Sequence, residues 1–563
     1  MAYPQETRPI QTPEVEDSAP VPVTPNAAKV RVRRRRRRGP LRRLSHRLGI
    51  KIKPINLLIV LVSIVVVVAV GAGALIADAA NQVQASLTQV NRAFSTLNAG
   101  SGTELTLTDF RRLQTSVNNL SRDLRRVQGQ IGFVEPFVSL NPDLEATWIA
   151  LGAARSLSAA AGSMLNGLQP TLNYLVSGGE DDRVVPQISS GERIVERLTT
   201  GLGQFQDASR HLEVARRQLD SLELGTLSAS LLLTINEMET YYDLLDDING
   251  ILNDARDSLN AALGLEGERS YLILSQNSDE LRPSGGYVST YGWMLVRNGR
   301  ISDYSYSATT ASSPNPPPSV LADQVPIPEW WIPYSEPIFA AWDGSWYADF
   351  PSTAEMAMWY YNSGGNPQSP VDGVIAIDIV GFEYILGALG RVEVPGYDVV
   401  VTPQNFRQVI YDIRAFGEGD LPHKRFLAAL YQQIFSDWQE FSADPETSNL
   451  LLGAVLQALQ EKHLMLHFTD ESLNNAVEIL GWGGYQSPGT DHDYLMIADG
   501  NLGNKSNNSI LRQLTYNVEI QLDGTLNSRT TIEYAYEERL AQADPAVNPE
   551  FHGPLDYNNL LQV

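Results

Sequence analysis

Apolar positions recur in steps of three and four between residues 78 and 265, which is the spacing of amphipathic helices. After the N-cap pair Thr108-Asp109, this spacing produces a heptad seam of seven residues: Phe110, Leu113, Val117, Leu120, Leu124, Val127 and Ile131. Further helices are predicted over 142–168, 189–222, 226–247 and 249–264. A seam needs a partner helix, and the short breaks favour an antiparallel stalk or bundle within one chain. The alternatives are an oligomerising coiled coil and a sensor-like bundle.

At about residue 269 the pattern changes to short runs of β-branched and aromatic residues. Strands are predicted over 271–274, 287–296, 301–307, 372–378, 392–395, 494–497, 511–522 and 528–536, and Asn298-Gly299 is typical of a hairpin turn. Helices are predicted over 379–390, 403–415, 422–440, 446–463 and 470–481. Strands mixed with helices predict an α/β (α+β) domain over 269–540. The remaining residues, 541–563, are interpreted as a docking strand or as the end of an incomplete chain.

One apolar run, Leu57 to Ala77, contains no charged residue and follows an arginine-rich segment. About 20 apolar residues suffice for a helix to cross the hydrocarbon of a bilayer. We therefore predict a transmembrane helix over 55–77, and the cationic flank places the N-terminus in the cytoplasm. A cleaved signal peptide is the alternative, but the long preceding tail and the weak cleavage site Ala77-Asp78-Ala79-Ala80 argue against it. The predicted location is the cell membrane, with most of the chain extracytoplasmic.

Charge is divided sharply along the chain. Residues 1–53 contain 14 Lys and Arg against four Asp and Glu, whereas the whole chain has a net charge of −23. The tail is rich in Pro, Glu, Thr and Ala up to residue 28, and we expect it to be disordered. Its arginine cluster either attracts anionic lipid headgroups or binds RNA or DNA; proximity to the predicted span favours the lipid bilayer. The acidic remainder argues against nucleic acid as a partner.

The chain contains no cysteine. Disulfides, thiolate nucleophiles, cysteine-ligated zinc and iron–sulfur clusters are therefore excluded. An exported portion of this length without disulfides has to fold around ordinary apolar cores, which suits a bacterial envelope.

Polar residues concentrate in the segment Gln276 to Gly286, between two predicted strands. Asp279, Glu280 and Arg282 lie close together there, and Gly285-Gly286 allows a ligand to approach the backbone. Arginine binds phosphate through two parallel hydrogen bonds, so this turn is a candidate anion site. The alternative is a tight turn in which one carboxylate pairs with the arginine.

Three other segments carry weaker signals. Residues 312–337 form a Pro- and Trp-rich loop in which Trp330-Trp331 either cover a ligand or pack over the edge of the core. His463 and His467 have the spacing of zinc ligands on a helix, although the inner glutamate of zinc proteases is missing. Lys505 lies in a polar loop that we interpret as a solvated turn, with anion contact as the alternative.

The run LILSQNSDELRPSGGYVSTYGWMLVRNGRI resembles the signature of a bacterial envelope family catalogued as domain of unknown function 4012. Further segments agree in the same order: Asp343 with Asp349-Phe350-Pro351, then VDGVIAIDIVGFEYILGALGRVEV, then DHDYLMIADGNLGNKSNN. The resemblance covers about residues 269–540. It implies a membrane anchor and a helical region before the domain, and it implies no settled activity.

The segment DGVIAIDIVGFEYILGALGRVEV is also similar, more distantly, to the LytR–CpsA–Psr domain, whose members transfer glycopolymers from polyprenyl-pyrophosphate carriers to the cell wall. That resemblance implies catalytic roles for Asp279, Arg282, Asp343, Lys424 and Arg425, and Mg²⁺ held by Asp279 and Asp343. Trp342 and Gly390-Arg391-Val392 depart from the pattern of those enzymes.

The sequence thus predicts an envelope protein that binds or scaffolds components such as cell-wall polysaccharide or exopolysaccharide. The candidate ligand-binding residues are Gly285, Gly286, Trp330, Trp331 and Asp378. The alternative function is Mg²⁺-dependent glycopolymer transfer by a phosphotransferase of the LytR–CpsA–Psr type. No other cofactor is expected, and the oligomeric state is left open.

Overall fold

A computed structural model describes residues 85–86, 88–89, 92–93, 107–177, 190–308, 315–325, 341–441, 445–486, 493–502, 505–536 and 557–563. The predicted tail 1–53, the predicted span 55–77 and Trp330-Trp331 lie outside these residues. Among the helices that the structure describes, none is long and apolar enough to cross a membrane.

The first part of the described chain consists of long helices. They are α1 (Leu107–Gln130), α2 (Pro142–Ser177), α3 (Ser190–Asp220) and α4 (Ala229–Ala262), with 3-10 turns at Gly132–Leu140 and Leu224–Thr226. The heptad seam is buried along α1, where Val117, Leu120 and Leu124 are fully inaccessible. They belong to one core with alanines and leucines of α2 and α3, so the partner helices of the seam come from the same chain.

The predicted break between residues 247 and 249 is absent, because α4 continues through both positions. Asn249 is buried there, and its side-chain amide donates to the hydroxyl of Ser209 on α3 at 2.7 Å. Helices α2 and α3 approach closely where Gly201 faces Gly167. A Cβ atom on Gly201 would lie 2.2 Å from the carbonyl oxygen of Gly167.

A five-stranded sheet follows the helices. Its strands are β1 (Arg269–Asn277), β2 (Tyr287–Arg297), β3 (Arg300–Ala308), β4 (Gly373–Ile377) and β7 (Leu464–Phe468), in the order β3-β2-β1-β4-β7. β1 and β4 are parallel, with Ile273 opposite Ile375, and the other pairs are antiparallel. The carboxyl ends of β1 and β4 therefore meet at one edge of the sheet.

Helices cover both faces of this sheet. Beyond a short helix α5 (Pro318–Gln324), they are α6 (Phe350–Ser363), α7 (Ile379–Leu389), α8 (Phe406–Phe416), α9 (Pro422–Phe441), α10 (Pro445–Glu461) and α11 (Glu471–Leu480). α6 packs on Leu272, Leu274 and Val374, while α7 to α9 enclose a second core around Leu386 and Phe426. This mixed architecture confirms the predicted α/β (α+β) class.

The remaining strands are short or peripheral. They are β5 (Val392–Glu393), β6 (Val400–Val401), β8 (Ala498–Asn501), the long hairpin β9 (Ile510–Ile520) and β10 (Leu526–Tyr536), and β11 (Asn559–Gln562). β11 pairs with β8, and β9 pairs only with β10 among the described strands. The strand predicted over 494–497 lies instead immediately after those residues, as β8 (Ala498–Asn501).

The prediction of a helix through residue 463 was wrong, since α10 ends at Glu461 and β7 begins at Leu464. A strand rises about 3.3 Å per residue, so a separation of four residues corresponds to about 13 Å. His463 and His467 therefore do not share the face of a helix, which removes the geometry of the zinc hypothesis.

Candidate functional site

The turn between β1 and β2 is built around the side chains at the end of β1. The Oδ1 atom of Asn277 accepts a hydrogen bond from the backbone N–H of Asp279 at 3.0 Å, an Asx turn that reverses the chain. Gly286 packs against the same residue, because an added Cβ would lie 2.5 Å from the carbonyl carbon of Asn277. Gly285 has φ +128° and faces the amide of Gln276. Both glycines are thus packed against residues at the end of β1.

Asp279 is buried and held by two residues of α8. Arg407 donates through Nη2 to Oδ1 at 2.6 Å and through Nε to Oδ2 at 3.2 Å, and the hydroxyl of Tyr411 donates to Oδ2 at 3.0 Å. Burial and the charge of Asp279 raise the pKa of Tyr411 well above its ordinary value. Both carboxylate oxygens of Asp279 are therefore already engaged.

Glu280 lies between two cations. Its Oε1 atom accepts from Arg282 Nη2 at 3.0 Å, and its Oε2 atom accepts from Lys505 Nζ at 2.6 Å. Burial opposes ionisation, but the charges of Lys505 and Arg282 outweigh it and lower the pKa of Glu280. The carboxylate is thus ionised at neutral pH. The interpretation of Lys505 as a solvated residue was wrong, because it is buried in this ion pair.

Arg282 is buried against two aromatic rings. Its guanidinium carbon lies 4.6 Å from the ring centroid of Trp346 and 5.3 Å from that of Tyr287, which are cation–π distances. Nη1 donates to the carbonyl of Asn501, while Nε is buried without a hydrogen-bond partner among the described residues. The alternative of a tight turn in which one carboxylate pairs with the arginine is confirmed, because Arg282 pairs with Glu280.

Two further cations reach this turn from α8 and α9. Arg407, Tyr411 and Arg414 are spaced four and three residues apart and so share one face of α8. Burial lowers the pKa of Arg414, which also interacts with the charge of Glu280. Lys424, in the first turn of α9, donates through Nζ to the carbonyl of Ser289 at 3.1 Å.

Lys424 has no carboxylate partner among the described residues. Burial lowers the pKa of Lys424 to about 7, and the positive charges of Lys505 and Arg414 act in the same direction, against Glu280. The start of a helix adds a further unfavourable term, because it carries partial positive charge. Lys424 is thus a half-buried amine on which two like charges act.

We call five of these side chains the cationic cluster: Arg282, Arg407, Arg414, Lys424 and Lys505. Three carboxylates face it: Asp279 and Glu280 pair with its members, and Glu383, whose pKa is raised by burial, also interacts with the charge of Arg407. The cluster is partly buried and lies at the carboxyl end of β1, where open α/β sheets commonly bind ligands. Such an arrangement is suited to holding a multiply charged anion.

A small cavity of about 60 Å³ adjoins the cluster between the sheet and helices α7 to α9. Its lining combines Asn277, Ser289 and Arg407 with the aromatic residues Phe382, Phe406 and Tyr431. Lys424 reaches the carbonyl of Ser289, which belongs to this lining.

Other residues predicted for the site lie elsewhere. Asp378 caps α7 by accepting from the N–H of Gly381 at 2.9 Å, and its Oδ2 lies 2.8 Å from His463 Nδ1. Arg425 is exposed and donates to the carbonyl of Glu418. The structure therefore places Asp279 and Arg282 on one turn, where the charge of the intervening Glu280 also acts on Lys424, whereas Asp378 and Arg425 make their hydrogen bonds elsewhere.

Asp343 is buried in the 3-10 segment Ala341–Trp346, near Tyr287 and Tyr360. Burial raises the pKa of both tyrosines, and the charge of Asp343 adds to the effect. Within the described ranges no group of three His, Asp or Glu side chains could hold a metal ion. The suggested pairing of Asp279 with Asp343 around Mg²⁺ would require Asp279 to release Arg407 and Tyr411.

Residues 266–412 match the family described as "Protein of unknown function (DUF4012)". The first resemblance drawn from the sequence is confirmed for this part of the chain, which runs from β1 into α8. The chain matches no curated protein and no solved structure. The resemblance to the LytR–CpsA–Psr domain stays a prediction.

Proposed function

We propose that this chain is a single-pass envelope protein whose folded part binds an anionic, phosphate-type group of an envelope component in the cationic cluster. The observation that carries the proposal is the environment of Lys424. Its side chain is half-buried, its amine donates to a neutral carbonyl, and the charges of Lys505 and Arg414 act on it together with that of Glu280. Removing a charge from water is unfavourable unless the charge is paired, so a bound anion would stabilise this arrangement.

The chemistry of the cluster favours phosphate over a carboxylate ligand. Arginine guanidinium groups match phosphate oxygens through paired hydrogen bonds, and lysine adds a compact point charge. Glu280 fixes Arg282 and Lys505 through short ion pairs, so both cations are preorganised. A phosphorylated polysaccharide or a phosphate-bearing carrier would present this group to the site.

Location is part of the same proposal. The run 55–77 would anchor the chain, and the basic residues before it would stay at the cytoplasmic face near anionic lipid headgroups. Protease applied to intact cells would then remove the folded part while leaving the basic tail. Protection of the folded part would contradict the proposed orientation.

The test of binding is a titration of inorganic pyrophosphate into the full chain, held in nanodiscs of neutral lipid and without divalent cations. We expect saturable binding, weakened about tenfold or more by Lys424→Met, because a hydrogen bond to a charged group contributes about 1.5–3 kcal/mol. Arg425→Met is the matched control, since Arg425 is a neighbouring but exposed cation. Equal effects of the two variants, or no binding by the unmodified chain, would remove the proposed site.

A second candidate is Mg²⁺-dependent transfer of a glycopolymer from a polyprenyl-pyrophosphate carrier. It is favoured by the same cationic cluster, because a pyrophosphate is the group that such a carrier would deliver. Phosphoryl chemistry relies on charge neutralisation and positioning rather than on a protein nucleophile. The test is to measure release of the polyprenyl carrier with and without Mg²⁺, in the unmodified chain and in Arg282→Ala. Release at the same rate without Mg²⁺ and in Arg282→Ala would contradict this function.

A further inference from the structure

The helical part exposes apolar side chains at the end opposite to its junction with β1. The 3-10 turn Gly132–Leu140 joins α1 to α2, and Glu135 is the one charged residue in its sequence. Phe137 and Leu140 of this turn are 57% and 80% exposed, and Leu233, near the start of α4, is 70% exposed. We call Phe137, Leu140 and Leu233 the bundle-end residues. Single exposed apolar residues are common, but several at one end of a bundle indicate a contact surface.

The turn between α1 and α2 lies beside the start of α4. Oδ1 of Asp143, in the first turn of α2, accepts a hydrogen bond at 2.9 Å from the N–H of Ser228, which directly precedes α4. Leu231 of α4 is buried in one small core with Ala146 of α2. The bundle-end residues of the turn and of α4 therefore belong to the same end of the bundle.

The opposite end of α4 leads into the α/β domain. There the carbonyl of Ala262 accepts from the hydroxyl of Tyr271 on β1 at 2.6 Å, and the carbonyl of Ala261 accepts from Nε of Arg269 at 3.2 Å. A helix rises 1.5 Å per residue, so this junction lies about 45 Å along α4 from Leu233. The helical part thus separates the bundle-end residues from the junction with the sheet.

The chain that follows the predicted span joins the bundle nearer to the bundle-end residues. Ser86 is helical and buried, and its hydroxyl donates to Oδ2 of Asp123 on α1. Asp123 lies about 10 Å from the end of α1 at Gln130, but about 24 Å from its start at Leu107. Nine residues join Ser86 to Ala77, where the predicted span ends, and they reach at most about 30 Å.

We propose that the bundle-end residues lie in the interface of the membrane that holds the predicted span, so that this end of the helical part contacts lipid. The inference rests on the proposed location and adds the orientation of the helical part to it. Phe137 and Leu140 would enter the boundary between headgroups and acyl chains, where the apolar face of a surface-bound segment lies about 5–10 Å deep. The junction with β1 would then lie up to about 45 Å above the bilayer surface.

Charged residues of both signs flank the bundle-end residues along the chain. Three arginines are exposed on the last turns of α1: Arg122, Arg125 and Arg126. Carboxylates follow on the turn, at the start of α2 and before α4: Glu135, Asp143, Glu145 and Glu223. Because the two signs are mixed, the contact with lipid would depend on burial of apolar surface. It should therefore form on neutral as well as on anionic membranes.

A fluorescent label tests the contact, and the absence of cysteine from the sequence allows the label to be placed at a single introduced thiol. Ser139→Cys is suitable because Ser139 is exposed between Phe137 and Leu140 and its replacement leaves both intact. The labelled full chain is held in nanodiscs of neutral lipid, with or without a spin-label quencher on the acyl chain. We expect blue-shifted emission and strong quenching by a quencher at a shallow acyl carbon, and weaker quenching by one near the terminal methyl group.

Ser302→Cys is the matched control, since Ser302 is an exposed serine on β3 of the α/β domain. Its label should emit as in water and be quenched severalfold less. Phe137→Ser together with Leu140→Ser, in the Ser139→Cys chain, should reduce quenching towards that of the control. Both side chains are exposed, so circular dichroism should show an unchanged helix content in this variant.

The inference and the proposed location fail in different ways. Equal quenching at Ser139→Cys and Ser302→Cys would overturn the inference, and it would keep the location if protease on intact cells still removes the folded part. A blue shift without quenching by lipid would mean that protein covers this end, which also overturns the inference. Protection of the folded part from protease would contradict the location itself, while the titration with pyrophosphate tests the anion site separately.

Discussion

Lys505 and Glu280 form a buried ion pair, with 2.6 Å between Nζ and Oε2, although they lie far apart in the sequence. The pair joins the loop after β8 to the turn after β1. Asn507 adds to the same junction by accepting, through Oδ1, from the N–H of Leu281 at 2.9 Å. Residues that follow β8 thus complete a site whose other members lie on the turn after β1.

Glu280→Gln should be strongly destabilising. The change leaves Arg282 and Lys505 buried without their shared carboxylate, and loss of one partner of a buried pair costs about 3–5 kcal/mol. Chemical denaturation of the full chain in nanodiscs measures this as a lower midpoint. Glu393→Gln is the control, because Glu393 pairs with Arg391 where both side chains are exposed, and it should change stability by less than about 1 kcal/mol. Similar losses in the two variants would contradict the structure of the cluster.

Local sequence patterns were sufficient to predict the fold class and half of the site. The turn Gln276 to Gly286 stood out because charged residues and glycines are concentrated in one short stretch. Asp279 and Arg282 could be proposed from that stretch alone. Lys424 came from the resemblance to the LytR–CpsA–Psr domain, and its contact with Ser289 depends on how α9 packs against β2.

The other residues of the site could not be predicted without the tertiary structure. Arg407, Tyr411 and Arg414 share a helix face, a signal visible in the sequence, but nothing local shows that this face points at Asp279. Lys505 lies in a polar loop whose composition is typical of a solvated turn. It is buried because it pairs with Glu280, which lies far away in the sequence. β7 was missed because its apolar run follows directly on helix α10, where periodicity alone does not separate a strand from a helix.

Lys424→Met should stabilise the protein while it weakens anion binding. Because burial lowers the pKa of Lys424 from 10.5 to about 7, the folded state binds fewer protons than the unfolded chain between those values. The free energy of unfolding of the unmodified chain therefore rises with pH across that window through this group. Methionine removes the penalty, so we expect a gain of stability below pH 7 that shrinks towards pH 10. Denaturation of both proteins at pH 6, 8 and 10 measures it, and a loss of stability at pH 6 would contradict the environment described for Lys424.

His463 and His467 should titrate on opposite sides of the ordinary histidine pKa. The hydrogen bond to Asp378 raises the pKa of His463, whereas burial lowers that of His467. The stability that His463 gains from Asp378 is therefore fully present below pH 6.5 and is lost as the pH rises through the raised value. NMR titration of the imidazole signals measures both values.

Asp378→Asn separates the charge of Asp378 from its capping role, since asparagine also caps helices well. The pKa of His463 should fall towards 6.5 in this variant, with α7 intact and the titration of His467 unchanged. If the pKa of His463 did not move, Asp378 would not be the cause of its shift.

Gly201→Ala should destabilise the helical part by forcing α2 and α3 apart. An added Cβ would lie 2.2 Å from the carbonyl oxygen of Gly167, and two backbones cannot separate without disturbing the core around Phe205. Overpacking of this kind costs about 1–3 kcal/mol. Gly203→Ala, two residues along the same helix, meets nothing within 4 Å and should stabilise the protein by about 0.5–1 kcal/mol, because alanine favours the helix. Thermal unfolding of the two variants should shift the midpoint in opposite directions, and a shift in the same direction would contradict the close crossing of α2 and α3.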